Sequence, residues 1–283
     1  MAPAFSYPSP PKKGREPADE PAELVDVPAA VVCALCGDAD CPGCHVDDAW
    51  DGASGVLVFV PWERPEKPLW KRFAETTRVT TEGAESFFSE LPSGPLLPAL
   101  RFAAFGELLA VGSTVVLCGA IAFGLGYLLW PELVSFIGTN AALRAKFART
   151  LAVAWLAFTA VLLVTRASYG LALYQASKRE GAPRHLMRAA LRFGLYGAGW
   201  DFMTSPLGAL WLATTDGRKA PRRLARYAMQ TPGRATAAFM HGIFQLDGAP
   251  AKRARRRALA VTMSGAVVCI IAGMALVAVS LLR

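Results

Sequence analysis

From Ala258 to Leu282 the chain carries no charged side chain. A membrane-crossing helix needs ~20 predominantly apolar residues, so this run predicts a span, the cleanest in the sequence. Two further runs meet the same requirement. Phe105 to Trp130 holds one charge, Glu107, near its start, and Tyr127, Trp130 and Pro131 mark an interfacial end. Thr150 to Tyr174 also holds one, Arg166, two-thirds of the way along. The composition agrees: 53% of the residues are hydrophobic and 18% charged, less charge than a soluble domain carries. The expected fold class is an all-α polytopic membrane protein, a bundle of about four to five membrane helices.

The uncertain member of that bundle is Phe193 to Ala213. It is long enough to cross once, but Asp201 lies near its middle and Ser205-Pro206 interrupts it. A proline there removes a backbone donor and clashes one turn back, so a helix kinks or stops. The run is therefore either one kinked span or two short arms that enter the membrane and return. Charge separates the two. Lys and Arg collect in short cytoplasmic loops, and residues 214–257 hold eleven of them against Asp216 and Asp247. A single crossing would put all eleven outside. Two arms turning near Pro206 leave every basic stretch except 144–149 inside. The two-armed arrangement is expected, in the inner membrane, with a cytoplasmic N-terminus and an outward C-terminus. Arg222, Arg223, Arg226, Lys252, Arg253, Arg255, Arg256 and Arg257 then face lipid headgroups, each contributing about 1 kcal/mol. Because membrane orientation accounts for this charge, no nucleic-acid partner is expected. Ala235 to Leu246 is apolar enough to dip into a membrane but too short to cross it.

A charge inside a span is expensive and usually faces the bundle interior or reaches for the interface. Arg166 therefore either pairs with Asp201, the one deep partner of opposite sign that the sequence offers, or snorkels to the headgroups.

Ahead of the spans, residues 1–27 are proline-rich and polar, read as a disordered tail, and Pro3 to Pro21 lacks the apolar core of a secretory signal. Residues 28–60 contain the sharpest local motif, Cys33-x-x-Cys36 followed after four residues by Cys41-x-x-Cys44. Each pair can set two thiolates on one side of a tight turn, and four thiolates suit tetrahedral Zn2+. The competing readings are a pair of disulfides, a redox site, and c-type haem, since Cys41 to His45 also fits C-x-x-C-H. Residues 61–98 then place Leu69, Phe73, Thr76, Thr80, Ala84, Phe87 and Leu91 at helical steps of three and four. That pattern predicts a pre-membrane helix, lying in the interface or packed on protein.

Taken in order, Cys33, Cys36, Gly37, Cys41 and Cys44, then Pro61-Trp62-Glu63, Thr76, Phe87-Phe88 and Leu91-Pro92 resemble the bacterial branch of the Yip (Ypt-interacting protein) domain family. Tyr196 and Ser205-Pro206-Leu207-Gly208 resemble that family's broken middle hairpin, and His241-Gly242 its short linking motif. The likeness spans roughly residues 33–283. It implies five membrane helices, a cytoplasmic N-terminus and an outward C-terminus, and the chain departs from it where the expected fourth span is short and basic. Eukaryotic members of the family act in vesicle trafficking by binding small GTPases.

Three histidines, His45, His185 and His241, lie far apart, and no G-x-S-x-G, H-E-x-x-H or phosphate-binding glycine loop occurs. The expected function is a non-enzymatic membrane scaffold or adaptor whose zinc module docks a cytoplasmic or membrane protein. Self-association into a homo-oligomer is compatible with it. A small transporter or channel built on Arg166, Asp201 and the Pro206 break is the first alternative. A redox or haem protein working through Cys41, Cys44 and His45 is the second.

Overall fold

The computed structural model describes residues 60–282. The expected tail over 1–27 and the cysteine module, with Cys33, Cys36, Cys41 and Cys44, lie outside the described residues. A 3-10 turn at Pro61–Glu63 leads to α1 (Leu69–Thr81), α2 (Ala84–Ser89), α3 (Leu96–Leu129), α4 (Pro131–Thr139) and α5 (Ala141–Arg179). Six more helices follow: α6 (Met187–Tyr196), α7 (Ala198–Thr204), α8 (Pro206–Asp216), α9 (Ala220–Met229), α10 (Thr231–Gly242) and α11 (Gly248–Leu282). Helix accounts for 86% of the described residues and no strand occurs among them.

Three helices among the described residues, α3, α5 and α11, are long and apolar enough to cross a bilayer. In their most apolar windows only 6%, 11% and 11% of residues are buried within the protein. Side chains such as Ile121, Phe123, Leu128, Val267 and Ile271 are exposed there, an apolar surface that a soluble monomer does not carry and that lipid would cover. The helices alternate in direction. Trp155 of α5 donates to the Leu108 carbonyl of α3 at 2.9 Å, and α4 joins their far ends. Asn140 starts α5 by accepting from the Ala142 and Leu143 amides at 3.0 and 3.2 Å, which satisfies two otherwise orphaned donors. Arg253, near the start of α11, meets Glu180, just past the end of α5, and Gly273 lies beside Val161.

The end of α5 and the start of α11 thus share one end of the bundle, here called the base, and the chain between them makes no net crossing. Phe193 to Ala213 is cut into parts of α6, α7 and α8, none near the length of a span. Pro206 does not kink a crossing helix. It opens α8 from the first turn, where its missing N–H is harmless, and the Ser205 hydroxyl accepts from the Gly208 amide at 3.3 Å. A Cβ on Gly208 would sit 2.1 Å from the Phe202 carbonyl oxygen, so only glycine permits a turn this tight.

The base holds the core. Phe73, Phe88, Phe102, Phe193, Phe202, Phe239 and Phe244 come from seven different segments and are at most 1% exposed. Edge-to-face contacts link Phe73 to Phe202 and Phe88 to Phe193, both at 4.9 Å, and Phe193 stacks on Phe239 at 4.5 Å. Such pairs add about 0.5–1.5 kcal/mol each beyond the area they bury. The periodic stripe of 69–91 is divided at Gly83 into α1 and α2, and it packs on protein. Phe73, Thr76 and Thr80 are buried, and Gly199 of α7 approaches so closely that a Cβ would lie 2.3 Å from Thr80 Oγ1. Leu69 and Trp70, at the start of α1, stay half exposed.

Candidate functional site

Two glycines decide where α5 and α6 cross. A Cβ on Gly170 would lie 2.3 Å from the Ala190 carbonyl oxygen, and one on Gly194 would lie 2.3 Å from that of Arg166. Backbones this close leave no room for any other residue. The crossing delivers α7, which follows immediately, to the flank of α5. There Arg166 clasps Asp201 with two parallel bonds, Nε to Oδ2 at 2.7 Å and Nη2 to Oδ1, the bidentate arrangement that guanidinium and carboxylate planes favour. The guanidinium lies over the Trp200 ring, 5.3 Å from its centroid. Trp200 is itself fixed by donating to the Thr80 carbonyl at 2.7 Å. Arg166 is thus held by Asp201 within the assembly.

This cluster has a third member beyond the expected pair. Glu107 of α3 is wholly buried, 3.9 Å from Arg166 Nε, and neither of its carboxyl oxygens accepts a hydrogen bond from a described residue. A lone carboxyl in an apolar run was the available signal. It stands near the start of a predicted span, and the fold buries that stretch of α3 in the base.

A second polar assembly lies deeper. Arg192 reads as one more charge in a basic connector, yet it is 1% exposed. Its Nη1 donates to the Pro92 carbonyl at 2.8 Å and its Nη2 to Glu63 Oε1 at 2.5 Å. The Tyr196 hydroxyl donates to the same Glu63 oxygen at 2.5 Å. Gly94 leaves the space that the guanidinium fills. Burial, and then the neighbouring Glu63 charge, push the Tyr196 phenol well above its ordinary value.

The basic residues expected at the headgroups divide into two groups. Arg223 bonds Glu82 at 3.2 Å and lies 2.9 Å from Asp216, while Arg253 and Arg257 share Glu180 at 2.7 and 2.8 Å. Arg222, Arg226, Lys252, Arg255 and Arg256 are exposed and meet no carboxylate among the described residues. Burial alone would push Glu82 up. The bonds from Arg78 and the Tyr227 hydroxyl, with the charges of Arg78 and Arg223, outweigh it and hold the carboxyl below its usual range. Tyr227 is buried beside that charge and is pushed up to about 12, by burial first and then by Glu82.

Among the described residues no cluster of three or more His, Cys, Asp or Glu could hold a metal ion. No family model, curated protein or solved structure matches the chain.

Proposed function

We propose that this chain is a non-enzymatic scaffold or adaptor of the Yip-like type in the inner membrane, with a cytoplasmic N-terminus and an outward C-terminus. In this reading the four thiolates of Cys33, Cys36, Cys41 and Cys44 hold a structural Zn2+, and that module docks a protein partner. The broken run α6 to α8 takes the place of a membrane element of the family pattern, turned back at the membrane face. One observation carries the reading: residues of the resemblance that are scattered along the chain close on one another. Glu63 of Pro-Trp-Glu, the Pro92 carbonyl of Leu-Pro and Tyr196 all meet around Arg192. Phe87 packs edge-on against Tyr196 and Phe88 against Phe193. Gly242 of His-Gly abuts the Ser89 backbone, where a Cβ would come within 2.1 Å of the carbonyl oxygen. Their polar atoms are spent on each other, the behaviour of an architectural lock.

The test is chemical cross-linking of the full-length protein in its native membranes, comparing wild type with Cys33→Ser/Cys36→Ser. A discrete protein neighbour that is lost in the variant, with the melting temperature of the membrane portion unchanged, supports the scaffold. Identical neighbours in both would sink it. Glu107 beside the Arg166–Asp201 pair, where α3, α5 and α7 meet, favours the transporter reading as the second choice. Solute flux in liposomes that disappears on Asp201→Asn would put that reading first.

A further inference from the structure

We infer that the groove where α5, α10 and α11 meet binds one phosphate group, that of an anionic phospholipid, an assignment that does not depend on the scaffold reading. The groove is a cavity of about 190 Å3 lined by Arg166 and Tyr169 of α5, Trp200 of α7, Gly233 and Thr236 of α10, and Arg255 of α11. Drug-sized ligands occupy roughly 300 Å3 or more, so a nucleotide is too large and a single headgroup phosphate is not.

The donors left free in this cavity belong to the two arginines. Thr236 donates to the Pro232 carbonyl at 2.7 Å and lies 3.0 Å from the Tyr169 hydroxyl. Thr262, farther along the wall, donates to the Ala258 carbonyl at 2.8 Å. Arg166 commits Nε and Nη2 to Asp201, which leaves Nη1. Arg255 has no hydrogen bond or carboxylate partner among the described residues, whereas Arg253 and Arg257, two positions to either side, are both held by Glu180. Asp201 and Glu107 lie beside Arg166, so Arg255 is the cation of this lining that has no carboxylate partner among the described residues. Planar guanidinium groups suit phosphate oxygens better than point charges do. The first turn of α10, which also lines the cavity, presents the positive end of its dipole.

The surroundings favour a lipid over free phosphate. Leu259 and Thr262 follow Arg255 on the same stripe of α11 and line the same groove. No charged residue follows Arg257 until Arg283. The groove therefore leads from the charged end of α11 onto its apolar stretch, where acyl chains continue and an inorganic anion would find nothing.

The experiment uses the full-length protein in nanodiscs of phosphatidylcholine with or without phosphatidic acid, washed at high salt, with retained lipid counted by native mass spectrometry. Wild type should keep one phosphatidic acid per chain. Arg255→Gln should lower retention by about tenfold or more, the scale of a lost charge-assisted bond. Arg256→Gln, an exposed neighbour, should lower it by no more than the roughly fivefold that one surface cation contributes. Gly233→Ala keeps every charge, but its Cβ would stand 3.3 Å from Arg255 Nη2; by crowding that guanidinium it should also lower retention. Equal losses in Arg255→Gln and Arg256→Gln, or none in Arg255→Gln, would overturn the site. Added inorganic phosphate that binds in an Arg255-dependent way while no lipid is retained would overturn the lipid source.

Discussion

Arg192 offers the sharpest test of how the base is held. Its guanidinium is 1% exposed and joins Glu63, on the opening turn, to the Pro92 carbonyl and to α6. Removing one partner of a buried pair costs about 3–5 kcal/mol because the other charge stays uncompensated. The Glu63 side chain is 24% exposed, so water can reach it and the low end applies: about 3 kcal/mol for Arg192→Gln. Tyr196→Phe removes a single hydrogen bond to the same carboxylate and should cost about 1–2 kcal/mol. The decisive quantity is the coupling in the Glu63→Gln/Arg192→Gln double-mutant cycle, read from chemical unfolding in detergent followed by tryptophan fluorescence. Trp62 flanks Glu63 and donates to the Pro98 carbonyl at 2.8 Å, so it reports on the same turn. Glu63 and Arg192 in direct contact should show coupling of at least about 1.5 kcal/mol, since interacting residues reach about 0.5–3. Additivity within about 0.3 kcal/mol would refute the lock and leave Arg192 a solvated charge.

Gly194→Ala places a methyl group 2.3 Å from the Arg166 carbonyl; it should destabilise by about 1–3 kcal/mol or more and part Arg166 from Asp201, so a following Asp201→Asn should cost less than it does alone. The Tyr227 phenol is neutral in the fold up to about pH 12, whereas an unfolded tyrosine ionises near 10. The unfolded chain therefore releases the proton first, and this share of stability is complete below pH 10 and falls as pH rises toward 12. A pH series of melting temperatures should show a shallower alkaline decline in Tyr227→Phe than in wild type, with Tyr196 responsible for part of what remains. Metal analysis of the purified chain should return one zinc per protein, lost in Cys33→Ser/Cys36→Ser, with no Soret band in the wild-type absorption spectrum.

The long helices are legible in the sequence because hydrocarbon tolerates so few patterns. The apolar runs at 105–130, 150–174 and 258–282, the first two with a single charge each and the last with none, coincide with α3, α5 and α11 to within a residue. The Arg166–Asp201 pair is legible for the same reason: a charge in an apolar run demands a partner. The base is less so. Arg192 hides among Arg184, Arg188 and Lys178, and only tertiary packing shows that it alone of these is enclosed. The stripe of 69–91 reads as continuous because three- and four-residue steps survive the break at Gly83. Pro206 announces an interruption, but whether a chain kinks or restarts there depends on the Gly208 approach to Phe202, which has no one-dimensional signature.

The lock at Arg192 also sets an order of events during synthesis. Glu63 emerges from the ribosome 129 residues before its partner, and Glu85 emerges 149 residues before Arg234. At about 5–20 residues per second, the opening turn, α1 and α2 wait on the order of ten seconds with their phenylalanine faces uncovered. The two long apolar helices α3 and α5 are made in that interval. These early elements are thus completed only when α6 and α10 arrive, and until then their apolar faces need some other cover.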